Sequence, residues 1–369
     1  MKQKILFTSD IHLTDRYADE YRWRVFPKLR EVARQHDATA IAILGDITDA
    51  KGGHSSALVN RVVEEVDSLA QEFEVYILKG NHDYTEEHLP FFGFLDFIPN
   101  VRFITDPELL PVGNLKVLAL PHAHSGPTSR NAEAGGDKGS RNTLVGRKVT
   151  EMVGEGGFDM IWIHNTVRGS VYSNGRVLEN HGVDLCPPSK PSPRRHTGLY
   201  EGLGVPIIAG DVHVPQEVGP VTYLGAPHPV RFGDTWLPRF MLFEDEVGLK
   251  SISIDAIQKH SLTLTGPESC EDALEEVGGG DQVKIIVRLA RDEMGMWQSL
   301  RESLFAQAGK VGASIESIAM QCYEETNLPE KEVDLASANL SVKETYDRYC
   351  KENLISSRLA EAGSRILGS

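Results

Sequence analysis

Short apolar runs alternate with helix-period segments through the first 250 residues of the chain. The runs Lys4–Ser9, Thr39–Gly45, Val75–Lys79, Lys116–Leu120, Met160–Ile163 and Pro206–Ala209 are each short, β-rich and bounded by polar or turn residues, the pattern of buried strands. Between them, Arg22–Gln35, Ala57–Phe73 and Leu144–Val153 repeat apolar residues at helical spacing. Strand, helix, strand in this order predicts βαβ units around a largely parallel sheet. After Ile207 the texture changes to GPVTYLGAP, RFMLFED and LKSISID, short strands with Gly and Pro turns. These predict antiparallel strands completing a second sheet. The expected fold class is α/β, a four-layer, two-sheet core flanked by helices.

The pattern breaks near residues 255–285, at GPESCEDALEEVGGGD. Beyond it, VKIIVRLA reads as a strand, MWQSLRESLFAQAG as a helix and ASIESIAMQ as another strand. A polar link, NLPEKEVDLASAN, leads to a final helix-period segment. The expected divisions are therefore 1–255 as the main domain, 256–330 as a small α/β capping domain, and 331–369 as a helical tail. Two stretches rich in Pro, Gly, Ser and basic residues, Ser125–Arg141 and Cys186–Thr197, are expected to be surface loops.

Composition narrows the picture. With 40% hydrophobic and 25% charged residues, a wholly disordered chain is excluded. No run approaches the ~18 apolar residues of a membrane span, and MKQKILFTSD lacks the apolar core of a signal peptide, so a cytoplasmic location is expected. Cys186, Cys270, Cys322 and Cys350 lie far apart and form no C-x-x-C pair, which argues against a zinc knuckle or a disulfide framework. A net charge of −15 argues against coating nucleic acid by bulk charge, though not against gripping phosphates locally.

The candidate chemistry lies where the strands end. Asp10 and His12 follow the first, Asp46 the second, Asn81 and His82 the third, His164 a later one, and Asp211 and His213 another. In open α/β sheets that carboxyl edge is where ligands bind. If these segments are extended, residues i and i+2 project to one side, so Asp10/His12 and Asp211/His213 each aim two groups at one point. Glycines before Asp46, Asn81 and Asp211 permit sharp turns and close backbone approach. Five loops thus supply Asp, Asn and His groups enough for two divalent cations that share a carboxylate, a device suited to phosphoryl chemistry. No Ser/His/Asp set is evident.

The series D-x-H, G-D-x-x-D, G-N-H-D, a strand-end His and G-x-x-H resembles the calcineurin-like metallophosphoesterase superfamily. HNTV after a strand, then GDVHVPQEVGPVTYLGAPHPVRFGD, is similar to the SbcD-type DNA-repair exonuclease subunit within it. The resemblance implies that Asp10, His12, Asp46 and His213 hold a first cation. Asp46 as the bridge, with Asn81, His164 and Asp211, would hold a second. It implies that His82 protonates the leaving oxygen, Asp83 orients its imidazole, and Asp49 contacts substrate or a metal-bound water. The family usually has His where this chain has Asp211. The extra carboxylate makes the donor set richer in oxygen, which favours Mn²⁺, with Mg²⁺ as the alternative, over zinc.

The function implied is a Mn²⁺-dependent DNA exo- or endonuclease subunit working with an SbcC-type, SMC-like ATPase in DNA end processing. The alternative is a stand-alone metallophosphatase or a small-molecule or cyclic-nucleotide phosphodiesterase. Candidate DNA contacts are Arg16, Arg22 and Arg24, interleaved with Tyr17, Tyr21 and Trp23, and a second basic loop with Lys190, Arg194, Arg195 and His196. Against the first group stands an amphipathic helix start whose aromatics pack inward. The tail carries an apolar stripe, Tyr346, Tyr349, Leu354, Leu359 and Ile366, and the resemblance implies that it docks on the ATPase. Homodimerisation through the first helices is a further implication of the family.

Overall fold

A computed structural model describes residues 3–86, 89–122, 152, 157–167, 169–177 and 203–323. The chain opens with β1 (Lys4–Thr8), a 3-10 segment (Tyr17–Arg24), α1 (Val25–Gln35), β2 (Ala40–Ile43), α2 (Ser56–Ala70) and β3 (Glu74–Leu78). A short hairpin, β4 (Tyr84–Glu86) with β5 (Leu89–Pro90), precedes β6 (Val101–Ile104), β7 (Glu108–Val112) and β8 (Leu115–Leu120). There follow β9 (Met160–His164), β10 (Ile207–Gly210), β11 (Gln216–Val218), β12 (Val221–Tyr223), β13 (Arg239–Glu244) and β14 (Gly248–Ser253). The last part comprises β15 (Lys259–Thr265), β16 (Gln282–Leu289), α3 (Trp297–Val311) and β17 (Ser314–Cys322).

Two six-stranded sheets carry the core, ordered β14-β13-β1-β2-β3-β6 and β11-β12-β10-β9-β8-β7. Period-two alternation sorts their residues. Ile5 and Phe7 of β1 and Ala40 and Ala42 of β2 face the second sheet, whereas Leu6, Ile41 and Ile43 face the helices. Met160 and Trp162 of β9 enter the layer between the sheets, and Ile161 and Ile163 line the opposite face. The small alanines make room for Trp162, whose ring meets Phe7 edge-on at 5.6 Å and Tyr76 at 5.7 Å. On α1, Val25, Phe26, Leu29, Val32 and Ala33 form the buried stripe; on α2 it is Leu58, Val62, Val66, Leu69 and Ala70. Ser55 caps α2, its Oγ accepting from Leu58 N at 3.2 Å.

The two-sheet α/β class agrees with expectation, but the strands are distributed differently. The expected parallel run from β1 to β10 is divided: β8, β9 and β10 pair with one another in the second sheet. The later runs RFMLFED and LKSISID return to the first sheet, where β13 pairs antiparallel with β1 and β14 with β13. Edge antiparallel strands have the same local pattern as strands of a new sheet, so periodicity cannot assign them. The first helix also begins later than expected, because Tyr17–Arg24 is 3-10 and α1 starts at Val25.

A small three-stranded sheet, β15-β16-β17, completes the described chain and is parallel throughout. Its own apolar cluster joins Val283, Ile285, Val287 and Leu289 to Leu304 and Ala308 of α3 and to Cys270, Leu274 and Val277. Gly312 ends α3 in the left-handed conformation, φ 78°. Among the described residues no helix is long and apolar enough to cross a membrane. Most of the helix expected at Leu144–Val153, both low-complexity loops with Arg194 and Arg195, and the tail from 331 lie outside the described residues.

Trp162 fills the layer that fixes the spacing of the two sheets. Trp162→Ala is expected to destabilise the protein by about 3–5 kcal/mol, read as a lower urea midpoint with unchanged m-value. A loss under about 1 kcal/mol would mean that the layer closes over the gap.

Candidate metal centre

The carboxyl ends of β1, β2, β3, β9 and β10 meet at one edge and bring the expected groups together. Asp10, His12 and His213 form one cluster whose ligand atoms all lie within 4.8 Å of one another, and Asp10, Asp46 and His164 form another. Asp46 lies between them. Its Oδ2 is 3.6 Å from His12 Nε2 and its Oδ1 3.4 Å from His164 Nε2. His12 Nε2 and His213 Nε2 are 3.0 Å apart, the separation of neighbouring ligands on one cation at bond lengths of about 2.1 Å. Asp211 Oδ1 is 3.9 Å from His164 Nε2 and accepts from Asn81 Nδ2 at 3.3 Å.

The local geometry differs from the extended one expected. Asp10, His12, Asp46 and Asp211 have φ of 55°, 51°, 56° and 82°, the left-handed region that side chains avoid. Convergence after β1, β2 and β10 therefore comes from tight left-handed turns, not from alternation along the strand. The turns are laced together: Asp10 N donates to Gly45 O and His12 N to Asp46 O, both at 3.0 Å. Close approach at the glycines is real. A Cβ on Gly80 would collide with Asp46 Oδ1 and Asp46 N, and one on Gly45 with the His164 ring.

Asp83 has a different role from the one expected. Its carboxylate accepts from Asp46 N at 2.9 Å, Ile47 N at 3.0 Å and Gly80 N at 2.6 Å, so it clamps two loops. It does not orient His82, because both its oxygens are engaged by backbone N–H groups. The His82 ring is held instead through Nδ1, 2.5 Å from Asp49 O. The carboxylate of Asp49 lies 3.5 Å from His12 Nδ1, on the side away from Asp46. Arg22 is also corrected as a DNA contact: it is 2% exposed, and its guanidinium donates to His12 O. Arg16 and Arg24 are exposed, Arg16 pairing with Asp19 at 2.6 Å. Trp23 packs inward and donates from Nε1 to Thr14 O at 3.0 Å.

Three participants escaped sequence reasoning. Thr166 donates to Asp211 Oδ2. His122 packs its ring 6.1 Å from that of His164, and its Nδ1 meets Tyr84 OH at 2.8 Å. His228 holds Ile11 O through Nε2 at 2.8 Å. Only His122 had a readable signal, since it closely follows β8 as the candidate ligands Asp10 and Asp46 follow β1 and β2.

Burial sets the electrostatics. It pushes the Asp10 carboxyl up to about 6 against the pull of His164. Burial and the nearby Asp46 charge raise Asp83 to about 6 as well. At Asp46 burial is outweighed by His164 and His12, and the carboxyl is held well below the usual range. His164 is raised well above 6.5, and His12 is raised too; in both, the surrounding carboxylates overcome burial. His213 has no comparable support: burial and the His12 charge hold it down to about 3.

The donor set fits divalent cations. Asn81 Oδ1 and His164 Nε2 are buried with no hydrogen-bond partner, a cost of about 1–3 kcal/mol each unless something accepts their lone pairs. His164 Nδ1 lies 2.5 Å from Leu44 O and so carries a hydrogen, which makes Nε2 the nitrogen that offers its lone pair once the imidazolium gives up a proton to an arriving cation. Asp10, His12, Asp46 and His213 would hold one cation; Asp46, Asn81, His164 and Asp211 would hold the other.

The pattern of the calcineurin-like phosphoesterase family matches residues 3–215. No curated protein matches the chain. Among solved structures, an archaeal phosphodiesterase is similar at 15% identity, covering 68% of this chain and 100% of its own, with a TM-score of 0.35. A dimetal phosphatase from Danio rerio is similar at 12% identity, covering 69% and 99%, with a TM-score of 0.38. The Pseudomonas putida nuclease MPE is similar at 22% identity, covering 32% and 55%, with a TM-score of 0.22.

His12 and His164 keep protons in the native, cation-free site at pH values where the unfolded chain, near 6.5, has lost them. The native state then binds more protons, so stability falls as pH rises above 6.5 through the raised values. In chelator-treated protein the urea midpoint is expected to drop as pH rises above about 6.5. Saturating Mn²⁺ should remove the drop, because a cation takes the same lone pairs. A midpoint flat over this range without cation would show that these imidazoles are not charged.

Proposed function

Because the chain belongs to the calcineurin-like phosphoesterase family, a family of metal-dependent phosphoesterases, we propose that it hydrolyses phosphodiesters of DNA at this centre with two Mn²⁺ ions. The observation that carries the reading is the Asp46 carboxylate, whose two oxygens each lie near a different histidine, His12 and His164. Two divalent cations held by the residues named above would supply the chemistry of a lowered water pKa and neutralised phosphoryl oxygens.

The chain's own groups do the rest. Asp49 O fixes His82 Nδ1, so Nε2 is the nitrogen that hands a proton to the leaving oxygen. Asp83 keeps the loops of Asp46 and Asn81 in register. Hydrolysis needs no covalent enzyme intermediate; water attacks in line with the departing oxygen. DNA as substrate is supported by the likeness of HNTV and GDVHVPQEVGPVTYLGAPHPVRFGD to SbcD-type nuclease subunits. The same likeness supports an SbcC-type ATPase as partner, docked through residues 331–369, and a homodimer. A stand-alone phosphodiesterase or phosphatase is the competing reading.

With Mn²⁺ restored after chelation, linear duplex DNA is expected to be cut in preference to a chromogenic diester or monoester. His82→Ala should lower kcat by about 10²–10⁴ with cation stoichiometry unchanged. Preference for the chromogenic monoester would favour the phosphatase, and a His82→Ala variant as fast as wild type would remove the proton-donor role.

Asp211 is proposed as a ligand that tilts its subsite toward Mn²⁺ over zinc. Its carboxylate is already steered by Thr166 and Asn81. Asp211→Ala should therefore bind one Mn²⁺ tightly instead of two, as read by calorimetric titration. Two tight sites in that variant would make Asp211 an orienting group only.

A further inference from the structure

The D-x-H loop, residues 10–14, is held from outside by four donors, one for each of four successive carbonyls. Ile11 O accepts from His228 Nε2 at 2.8 Å, His12 O from Arg22 Nη1, Leu13 O from Asp49 N at 3.0 Å, and Thr14 O from Trp23 Nε1 at 3.0 Å. A histidine in the left-handed region, as His12 is at φ 51°, is conformationally costly. The donors on its own carbonyl and on the two beside it hold it there together with the bonds that His12 N and Leu13 N make to Asp46 O and Ile47 O.

Arg22 is the charged member of this set, and it is buried at 2% exposure. Its guanidinium pairs with Asp19 Oδ1 at 3.1 Å and reaches Val230 O at 3.4 Å. Asp19 in turn takes Thr14 Oγ1 at 2.9 Å on its other oxygen. The next charge comes from the small sheet. Lys259, first residue of β15, is buried, with Nζ 3.8 Å from Asp19 Oδ1 and 3.4 Å from Val230 O. The same ammonium lies over the rings of Tyr21, at 5.1 Å, and Phe232, at 5.2 Å. Gln282 of β16 adds a second tie, donating to Ala18 O.

A continuous buried chain thus runs from Lys259 through Asp19 and Arg22 to the carbonyl of His12. We infer that Arg22 is a positioning residue for His12 and that Lys259 holds it in place, so that docking of the small sheet sets the geometry of the cation subsite containing His12. The inference rests on the two-cation reading of the centre. It gives the small sheet a role in the reaction without contact with substrate. Ligand-supporting groups of this kind typically contribute 10–100-fold in metal affinity.

The test uses the full chain with Arg22→Lys, which keeps the charge but loses the planar fork, and Lys259→Met, which keeps the stem but loses the charge. Val66→Ala, a core truncation on α2, serves as a control for general destabilisation. Mn²⁺ binding is followed by the free-ion EPR signal. His12 and His164 ring resonances are followed in cation-free protein labelled with ¹⁵N-histidine. Both test variants are expected to weaken one of the two Mn²⁺ sites about tenfold, to shift the His12 ring signals and to leave His164 in place, with Val66→Ala changing none of these. Unchanged affinity and unchanged His12 signals in both variants would overturn the inference, as would equal weakening by Val66→Ala. Should wild type bind no Mn²⁺, the two-cation reading falls, and the His12 signals decide alone: moved in Lys259→Met, the coupling stands; unmoved, it does not.

Discussion

Burial of carboxylates at one strand edge is the constraint on which the rest of this protein depends. Asp10, Asp46 and Asp83 are each no more than 2% exposed, and the Asp211 side chain beside them is 12% exposed. Moving such groups out of water costs several kcal/mol each unless opposite charge or hydrogen bonds replace the solvent. The four solve this differently. Asp83 takes three backbone N–H groups and is satisfied by the protein alone. Asp46 meets two imidazoles and one N–H, Asp10 accepts from Asp211 N, and Asp211 meets a hydroxyl and an amide. Among the described residues, the close ion-pair partners of Asp46 and Asp211 are histidines, with no Lys or Arg in contact. Histidine suits a site whose compensating charge is to be exchangeable, because it releases its proton when a cation arrives.

The same constraint explains the strained backbone. Strands deliver a side chain to an edge but cannot turn consecutive ones inward; left-handed turns at Asp10, His12, Asp46 and Asp211 do. The strain is offset by mutual support, since the turn after β1 hydrogen-bonds to the turn after β2 at Gly45 O, Asp46 O and Ile47 O. Arg22, Trp23 and His228 extend that support outward. The centre is therefore held by a lattice of backbone bonds, with side chains from two further segments bracing it.

Much of this was legible in the sequence, for a physical reason. Strand-end Asp, Asn and His residues flanked by glycine are conspicuous, because polar ligands stand out against apolar strands and glycine marks where backbone and side chain collide. All seven candidate ligands do lie at the same edge. What was not legible depended on partners distant in sequence. Asp83 beside His82 looks like its orienter, yet its acceptors are filled from residues 46, 47 and 80. Arg22 between Tyr21 and Trp23 looks like a nucleic-acid contact, and only the fold shows it buried beneath His12. Sheet membership of β13 and β14 was hidden likewise, since an edge strand reads alike wherever it pairs.

Charge gives the small sheet and the metal centre a common logic. The chain carries a net −15, which repels a polyanion at long range. Attraction must therefore be made locally, and two dications would outweigh the carboxylates of Asp10, Asp46 and Asp211 by a single charge. Imidazole at position 211 would leave that excess twice as large. On the proposed ligation, an Asp there would weaken the pull on phosphate while tightening the hold on the cation, so retention of the metal and capture of the substrate would draw on the same electrostatics in opposite directions. A fold in this position gains from fixing its ligands rigidly, because the small surplus is effective only if the cations sit where the phosphoryl oxygens arrive. The buried Lys259–Asp19–Arg22 chain brings charge to the back of the His12 loop without placing it at the site's mouth. There it stiffens the ligand without competing for phosphate.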